Sequence, residues 1–245
     1  MRTAIIIPAR YNSSRLPGKP LLEICGKTMI RRVYEQCLKA SIPCYDIWVA
    51  TDDERIAQEC DAHRINYIMT PEHLNSGTDR VFYAADQLES NYDSIINVQG
   101  DEPLLSPVLI EKIIGKLESG HEIVSAYCLK YDGHSDCNRV KVVLDNSDNA
   151  LYFSRGLIPY STDFTKPYKK HIGVYGFSYQ AMADIMKTRG GKLYQEENLE
   201  QLRWMEMGKK IHLIEMIGET TAIDTVEDYE KVKNIIEMNV SGHQS

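Results

Sequence analysis

The sequence predicts an α/β fold built on a mostly parallel, doubly wound sheet. The β-branched run Ile5-Ile6-Ile7 is typical of a buried strand, and a cationic loop follows it. Through residues 1–62, strand-like apolar segments alternate with segments of helical period. This alternation favours parallel strands joined by right-handed crossovers, and nucleotide sites in such sheets lie at the carboxyl ends of the strands.

The composition is that of an ordinary globular protein. The chain has 245 residues, of which 43% are hydrophobic and 26% are charged, so it is long enough to bury a full core. We therefore expect one domain over residues 1–245. No apolar run is long enough to cross a bilayer, and the first residues do not resemble a secretory signal. We expect no membrane insertion and a cytoplasmic location.

Charge and cysteine content argue against two other classes of protein. The formal net charge of −7 disfavours a nucleic-acid partner, which calls for a basic face. The six cysteines form no C-x-x-C pair and are spaced irregularly against the seven histidines, which favours reduced thiols over a structural zinc site. Any anionic ligand must therefore meet cations that are concentrated locally.

The predicted elements follow in order along the chain. After the first strand, strands are expected at residues 46–51, 65–69, 94–98, 122–128, 140–145, 150–154, 171–177 and 210–216. Helices are expected at residues 28–40, 54–62, from 78 onward, 106–117, 179–187, 198–207 and 226–238. A smaller β-rich lobe is expected at about residues 130–200.

Arg10, Arg15 and Lys19 follow the first strand and are candidates for binding phosphate. Their loop is not a Walker motif, because Pro20 follows Gly18-Lys19, and it contains no G-x-G-x-x-G fingerprint. Solvated surface charges are the alternative interpretation. The position of the three cations directly after a buried strand favours phosphate contact.

Asp101 and Asp224 each stand just beyond a predicted strand. A carboxylate there is costly unless it faces a cleft, is paired or binds a metal. Mg²⁺ takes one or two carboxylates and leaves its other positions to water and phosphate oxygens, so the pair fits this ion. A helix cap is the alternative for each aspartate alone. His171 begins a strand, as a core histidine could, and no serine or cysteine lies in a nucleophile motif.

Ten segments carry a resemblance to a known family. They lie at residues 7–11, 14–21, 49–52, 76–80, 97–103, 140–143, 150–155, 171–175, 199–203 and 223–228. Two of the longest are Ser14-Arg15-Leu16-Pro17-Gly18-Lys19-Pro20-Leu21 and Asn97-Val98-Gln99-Gly100-Asp101-Glu102-Pro103. In this order over nearly the whole chain, they resemble the 3-deoxy-manno-octulosonate (Kdo) cytidylyltransferases, or CMP-Kdo synthetases.

The resemblance implies a nucleotidyltransferase fold, a homodimer, and a smaller lobe for dimerisation and sugar binding. It implies the reaction of CTP with Kdo to give CMP-Kdo and pyrophosphate. The implied catalytic residues are Arg15, Lys19, Asp101 and Asp224, with Mg²⁺ as cofactor on Asp101 and Asp224. The implied nucleotide-binding residues are Pro8, Ala9, Arg10, Arg15, Lys19, Ser76, Gly77, Gln99 and Asp101. The implied sugar-binding residues are Arg80, Gln99, Arg155, His171, Tyr175, Glu200 and Gln201.

Two stretches depart from the family pattern near the implied sugar pocket. Residues 189–197 replace a stretch that usually contains proline, and residues 161–163 stand where a more charged loop is common. Two related acids therefore remain open as substrates, 8-amino-Kdo and a nonulosonate such as sialic acid. A nucleotide-binding regulator without turnover is the alternative outside enzymes, and the retention of Asp101 and Asp224 disfavours it.

Overall fold

The computed structural model describes residues 1–12, 16–41, 43, 46–74, 76–88, 91–188, 190–218 and 221–241. In chain order the strands are Thr3–Ala9 (β1), Glu23–Ile24 (β2), Lys27–Thr28 (β3), Ile47–Thr51 (β4), Asn66–Met69 (β5), Ser94–Asn97 (β6), Ile123–Lys130 (β7), Lys141–Leu144 (β8), Ala150–Ser154 (β9), Tyr168–Ser178 (β10) and His212–Glu215 (β11). The helices are Met29–Cys37 (α1), Glu54–Ala62 (α2), Gly77–Asp86 (α3), Pro107–Glu118 (α4), Tyr179–Met186 (α5), Lys192–Glu197 (α6), Glu200–Glu206 (α7) and Val226–Ser241 (α8).

The chain forms two compact units. The terminal unit comprises Arg2–Glu111 and Thr220–Ser245, and the middle unit comprises Lys112–Glu219 with Met1. The predicted α/β class is confirmed, because helices alternate with a mainly parallel sheet. The predicted domain and lobe boundaries stay predictions.

The terminal unit contains a parallel sheet whose order is β6-β1-β4-β5. Ile5 of β1 stands opposite Ile47 of β4 on one side and Ile96 of β6 on the other. The chain winds from β1 through β4 to β5, and then returns to the opposite side of β1 with β6. The winding therefore changes direction between β1 and β6, and open α/β sheets bind ligands at that point.

Buried apolar side chains pack the N-terminal and C-terminal segments of the terminal unit against each other. The side chains of residues 4–7 in β1 are fully buried, as expected of a strand covered on both faces. Ile223 and Val232, at the start of the C-terminal segment and in α8, pack in one cluster with Ile24 and Met29. This cluster holds the C-terminal segment against the residues that follow the β1 loop.

The middle unit is organised around β7. This strand pairs antiparallel with β10 and parallel with β11, and the adjacent strands β8 and β9 pair antiparallel with each other. Tyr175 and Phe177 of β10 both make edge-to-face contacts with Trp204 of α7, at centroid distances of 4.8 and 5.0 Å. These rings pack α7 onto the face of the sheet.

The structure differs from the sequence-based elements at a few places. The strand predicted to start at His171 begins at Tyr168, and the first helix ends at Cys37 rather than residue 40. The β2–β3 hairpin and α6 were not predicted. Both are too short to show a clear hydrophobic period, and α6 buries none of its side chains.

No helix among the described residues is long and apolar enough to cross a lipid bilayer.

Candidate active site

The ammonium of Lys19 lies between two carboxylates in the terminal unit. Its Nζ donates to Asp101 Oδ2 at 2.6 Å and to Asp224 Oδ1 at 3.0 Å. The Lys19 side chain is only 11% exposed. Burial opposes its charge, but the two carboxylates outweigh burial, and the pKa of Lys19 is raised. The structure thus brings together three of the predicted catalytic residues.

A tight turn after β1 presents Lys19. Gly18 adopts the left-handed conformation with φ 73°, which glycine tolerates without strain, and its N–H donates to the carbonyl of Tyr11 at 2.9 Å. Lys19 then begins a short 3-10 helix over Lys19–Leu21. The turn therefore fixes the main chain on which the Lys19 side chain stands.

Asp101 and Asp224 are distant in sequence but joined through the main chain. The N–H of Ile223 donates to the carbonyl of Asp101 at 2.9 Å. The Asp228 carboxylate accepts from the N–H groups of Asp224 and Thr225 at 3.1 and 2.9 Å. Asp228 thereby caps the start of α8 and fixes the position of Asp224.

The Asp101–Asp224 pair fits a divalent cation. Both carboxylates already bind one cation, the Lys19 ammonium, so their oxygens converge on a common point. Within the described ranges, no group of three or more His, Cys, Asp or Glu side chains could hold a metal. A metal at this pair would take its remaining ligands from water or a bound phosphate, which is the ligand set typical of Mg²⁺.

The ends of β1 and β6 and the start of α3 form a second part of the site. A β-carbon at Gly77 would lie 3.5 Å from Pro8 Cγ and 3.7 Å from Gln99 Oε1. A β-carbon at Gly100 would lie 2.6 Å from the carbonyl oxygen of Pro8. Ser76 caps α3, its Oγ accepting from the N–H of Asp79 at 3.0 Å. Four predicted nucleotide-binding residues, Pro8, Ser76, Gly77 and Gln99, thus meet where the winding reverses.

A buried amide orients Gln99. The Gln99 Nε2 donates to Asn97 Oδ1 at 3.3 Å, and Asn97 Nδ2 donates to Thr78 Oγ1 at 3.2 Å. Asn97 is fully buried at the end of β6. The amide nitrogen of Gln99 is turned towards Asn97. Of the Gln99 atoms, the amide oxygen lies nearest the position of a β-carbon at Gly77.

Arg80 is held within the terminal unit. Its side chain is fully buried, and its guanidinium donates to Asp52 Oδ2 at 2.5 Å and to Thr70 Oγ1. Arg10 Nε lies 3.9 Å from Asp52 Oδ2, and Arg10 Nη2 donates to the carbonyl of Glu72 at 3.4 Å. Arg80 therefore contacts protein groups from within the core, and its sugar-binding role stays a prediction.

The structure says less about two other predicted residues of the terminal unit, Ala9 and Arg15. Ala9 is buried at the end of β1, where it stands opposite Thr51 of β4. Arg15 lies outside the described residues, so its predicted phosphate contact stays a prediction.

In the middle unit, Arg155 is fixed by main-chain oxygens. Its guanidinium donates to the carbonyls of Glu197, Asn198 and Cys137 at 2.8, 3.3 and 3.1 Å. Carbonyls are neutral, so this arrangement orients the guanidinium without cancelling its charge.

His171, Tyr175 and Gln201 form a connected group in the middle unit. Tyr175 OH donates to Gln201 Oε1 at 3.2 Å, and the rings of His171 and Tyr175 lie 5.4 Å apart. His171 Nε2 lies 2.9 Å from Ser125 Oγ. Burial, with the nearby charge of Lys170, lowers the pKa of His171 to about 3, so this imidazole is neutral near pH 7.

Glu200 belongs to the same region. It is half-buried in the first turn of α7, next to Gln201, and it raises the pKa of Tyr175 further than burial alone does. The structure therefore brings together four of the predicted sugar-binding residues, His171, Tyr175, Glu200 and Gln201.

Several residues that organise the site were not predicted. Asp52 holds Arg80, Asn97 orients Gln99, and Glu197 binds Arg155. Asp52 could have been found, because it directly follows β4, the strand beside β1. Asn97 could also have been found, because it stands two residues before Gln99, whereas Glu197 reaches Arg155 only through the fold.

The chain is similar to proteins of one enzyme family. The family profile described as Cytidylyltransferase matches residues 4–211. A relative from Arabidopsis thaliana, 3-deoxy-manno-octulosonate cytidylyltransferase, mitochondrial, is 42% identical over 98% of this chain and 85% of its own length. The 8-amino-3,8-dideoxy-manno-octulosonate cytidylyltransferase of Shewanella pealeana is 41% identical over 93% of this chain and 96% of its own.

A solved structure agrees with this relationship. The CMP:2-keto-3-deoxy-manno-octonic acid synthetase complexed with CTP superposes with a TM-score of 0.91 and 36% sequence identity. The match covers 98% of this chain and 100% of the other. On this identity, coverage and fold, the chain belongs to the cytidylyltransferase family, among the CMP-Kdo synthetases.

Proposed function

We propose that this protein transfers the cytidylyl group of CTP to Kdo, forming CMP-Kdo and releasing pyrophosphate. The observation that carries the proposal is the Lys19 ammonium, held between Asp101 and Asp224 near the point where the winding of the sheet reverses. A charged ammonium beside two carboxylates, one after β6 and one just before α8, suits a nucleotide triphosphate and its metal. Membership of the cytidylyltransferase family supports CTP as the nucleotide.

The nucleotide is assigned to the terminal unit. Ser76 and Gly77 would lie by the cytosine, and Pro8 and Gln99, which pack close to Gly77, would be further nucleotide-binding residues. Lys19 would bind the triphosphate, with Arg15 and Arg10 as further cations from the same loop. These roles are those that the family resemblance implies, and the packing around Gly77 supports them.

The reaction requires two anions to approach each other. Like unit charges about 4 Å apart repel by roughly 4 kcal/mol at an effective dielectric constant of 20. Left uncompensated, this repulsion would slow the reaction by about three orders of magnitude. Lys19 would offset the charge of the triphosphate, and Arg155 that of the sugar-acid carboxylate.

Asp101 and Asp224 would hold Mg²⁺ in the active enzyme. When bound, the ion would neutralise charge at the phosphates and lower the pKa of the attacking hydroxyl. Lys19 would stabilise the charge that grows on the α-phosphoryl group, as the anomeric hydroxyl of the sugar loses its proton to solvent, its oxygen attacks the α-phosphorus in line and the bond to pyrophosphate breaks.

The sugar acid is assigned to residues of the middle unit, and the sugar-binding roles of Arg80 and Gln99 stay predictions. Arg155 carries an oriented positive charge, and Tyr175, Gln201 and Glu200 offer hydroxyl, amide and carboxylate groups for sugar hydroxyls. The 8-amino derivative stays open as a second substrate, because the relative from Shewanella pealeana that is named for it is 41% identical.

A pyrophosphate-release assay tests the proposal. The purified protein would be given CTP with Kdo, 8-amino-Kdo, sialic acid or no acid, each with Mg²⁺ and with excess EDTA. We expect release of pyrophosphate with Kdo and Mg²⁺, and none without an acid or with EDTA. No release with any of the three acids would support a nucleotide-binding regulator, and faster release with 8-amino-Kdo or sialic acid would reassign the substrate.

We also propose that the protein is a cytoplasmic homodimer whose product feeds lipopolysaccharide or capsule synthesis. Support for self-association comes from large apolar side chains of the middle unit that are more than half exposed, namely Tyr131, Leu151, Tyr160 and Phe164. The free thiols found among the described cysteines agree with a reducing compartment. Light scattering coupled to size-exclusion chromatography would test the dimer, and a mass of 28.0 kDa, that of one chain, would contradict it.

A further inference from the structure

Glu197 and Arg155 bind each other in both directions. The Glu197 carboxylate accepts from the Arg155 main-chain N–H at 2.9 Å and from Ser154 Oγ at 2.6 Å. In return, Arg155 Nε donates to the main-chain carbonyl of Glu197 at 2.8 Å. Glu197 is half-buried, so these hydrogen bonds are partly shielded from water. Side chain and main chain of both residues are thus tied at one point.

A second set of contacts, from Lys141, holds the main chain of Arg155 on its carbonyl side. Lys141, whose side chain is fully buried, donates from Nζ to the carbonyl of Arg155 at 3.1 Å and to that of Asp136 at 2.5 Å. The main chain of Arg155 therefore lies between a carboxylate on its N–H and an ammonium on its carbonyl. This bracket restricts the backbone from which the guanidinium extends.

Glu197 also stands at the turn between α6 and α7. Asn198 ends α6 in the left-handed conformation, with φ 53°, and its carbonyl accepts from Arg155 Nη2 at 3.3 Å. At the other end of α6, Glu206 of α7 accepts from the N–H of Lys192 at 2.9 Å. The two short helices are therefore linked at both ends, and α7 begins with Glu200 and Gln201.

The contacts of Glu197 with Ser154 and Arg155, together called the Glu197 clamp, act on two groups of predicted sugar-binding residues at once. Through the end of β9 it sets Arg155, and through the turn after α6 it sets the start of α7. The guanidinium of Arg155 makes its three hydrogen bonds to carbonyls, and no ion pair with a carboxylate is found for it within the described ranges. The positive charge of the guanidinium is therefore available to an anionic ligand.

We infer that Glu197 is a positioning residue for the sugar acid, acting by fixing Arg155 and the α6–α7 turn. The inference rests on the proposed function, because it assigns the anion at Arg155 to the substrate carboxylate. Glu197 itself needs no contact with either substrate. Its removal should weaken binding of the acid and leave binding of CTP unchanged.

The test compares steady-state kinetics of the full-length wild type with those of Glu197→Ala, Glu197→Gln and a control, Glu196→Ala. Glu196 is exposed on the same helix, so Glu196→Ala removes the same charge but leaves the contacts of Glu197 in place. We expect Glu197→Ala to raise KM for Kdo by roughly tenfold or more, with KM for CTP within about twofold. Glu197→Gln should restore most of the affinity, because its amide oxygen can accept from Arg155 N–H and its NH₂ can donate to the Ser154 hydroxyl.

The outcomes separate this inference from the proposed function. If the wild type does not release pyrophosphate with Kdo, the proposed function fails. If the wild type is active and Glu197→Ala leaves KM for Kdo unchanged, the positioning role is wrong. An equal rise in both KM values, or a glutamine variant as weak as the alanine variant, would also overturn it.

A milder variant covers the case in which Glu197→Ala does not fold. Ser154→Ala removes one of the two groups that the Glu197 carboxylate accepts from, and it changes little volume. We expect it to raise KM for Kdo by roughly threefold, again without an effect on KM for CTP. An unchanged KM for Kdo in a folded Ser154→Ala protein would contradict the inference.

Discussion

Lys19 Nζ lies 2.6 Å from Asp101 Oδ2, although the two residues belong to different loops at the carboxyl ends of β1 and β6. The contact places a cation and a carboxylate side by side where the winding of the parallel sheet reverses. Asp224 completes the arrangement from just before α8. The loop after β1 and the segment before α8 thus meet at the point where an open α/β sheet binds its ligand.

Replacing Asp101 by asparagine should abolish turnover without unfolding the protein. The amide has the same shape and can still accept from Lys19, but it removes the negative charge that would hold Mg²⁺. We expect pyrophosphate release to fall by about three orders of magnitude. Asp86→Asn makes the same change on an exposed position of α3 and should leave turnover unchanged. Turnover of Asp101→Asn within about tenfold of the wild type would contradict the metal role.

Replacing Lys19 by alanine should chiefly weaken CTP binding. The raised pKa of Lys19 keeps its ammonium charged at neutral and mildly alkaline pH, so a phosphate can use it throughout that range. A charged hydrogen bond contributes about 1.5–3 kcal/mol, so we expect CTP affinity to fall by roughly 10- to 100-fold. A titration of CTP followed by calorimetry measures this change. Affinity equal to that of the wild type would show that Lys19 does not bind the triphosphate.

The terminal unit shows what sequence reasoning can predict. The strand-end rule identified Lys19 and Asp101, because each lies in the loop after an apolar run that forms a buried strand. For Asp224 the rule was wrong, because β11 ends at Glu215 and Asp224 lies in the segment just before α8. The meeting of Asp101 and Asp224 around one ammonium could not be predicted. It depends on Ile223 bonding to the carbonyl of Asp101, a contact between segments that are far apart in the chain.

The middle unit shows where sequence reasoning fails. No element is predicted over residues 189–197, which contain a glycine pair and no apolar period, yet Lys192–Glu197 is a helix. Glu206 of the next helix supplies the missing cap, so a tertiary contact overrides the local propensity. Arg80 is a second case, because its burial was not predicted and depends on Asp52, which directly follows β4 and binds its guanidinium.

Replacing Gly100 by alanine should damage the site through its backbone. The new β-carbon would lie 2.6 Å from the carbonyl oxygen of Pro8, and neither main chain can yield without moving β1 or the Asp101 loop. We expect a loss of about 1–3 kcal/mol in the free energy of unfolding, together with weaker CTP binding. Gly115→Ala is the matched control, because its β-carbon meets nothing within 4 Å on the exposed face of α4.

Urea denaturation of the two glycine variants makes the comparison. Gly115→Ala should be more stable than the wild type by about 0.5–1 kcal/mol, since alanine is the better helix former. If Gly100→Ala matched it in stability and in CTP binding, the close approach to Pro8 would have no role in the site.

Acid should destabilise the fold through His171. Ser125 Oγ has carbonyl acceptors at Val174 and Ile172, at 2.8 and 3.1 Å, so the serine donates to a carbonyl and His171 Nε2 donates to the serine. Protonation would place a positive charge on a buried imidazole that packs against the rings of Phe153 and Tyr175. Burial is the main reason that the pKa of His171 falls to about 3.

The sign of the pH effect follows from this depressed pKa. The unfolded chain binds a proton at His171 below about pH 6.5 while the folded protein does not until about pH 3, so stability falls as the pH is lowered through that window. Relative to about pH 8, His171 should cost the protein about 2 kcal/mol of unfolding free energy at pH 5. His171→Gln keeps a donor for Ser125 but does not titrate, so it should lose about 2 kcal/mol less than the wild type over the same interval. Urea denaturation at both pH values measures the difference, with His73→Gln, at an exposed position, as the control. Equal losses in the wild type and His171→Gln would mean that acid acts on the fold elsewhere.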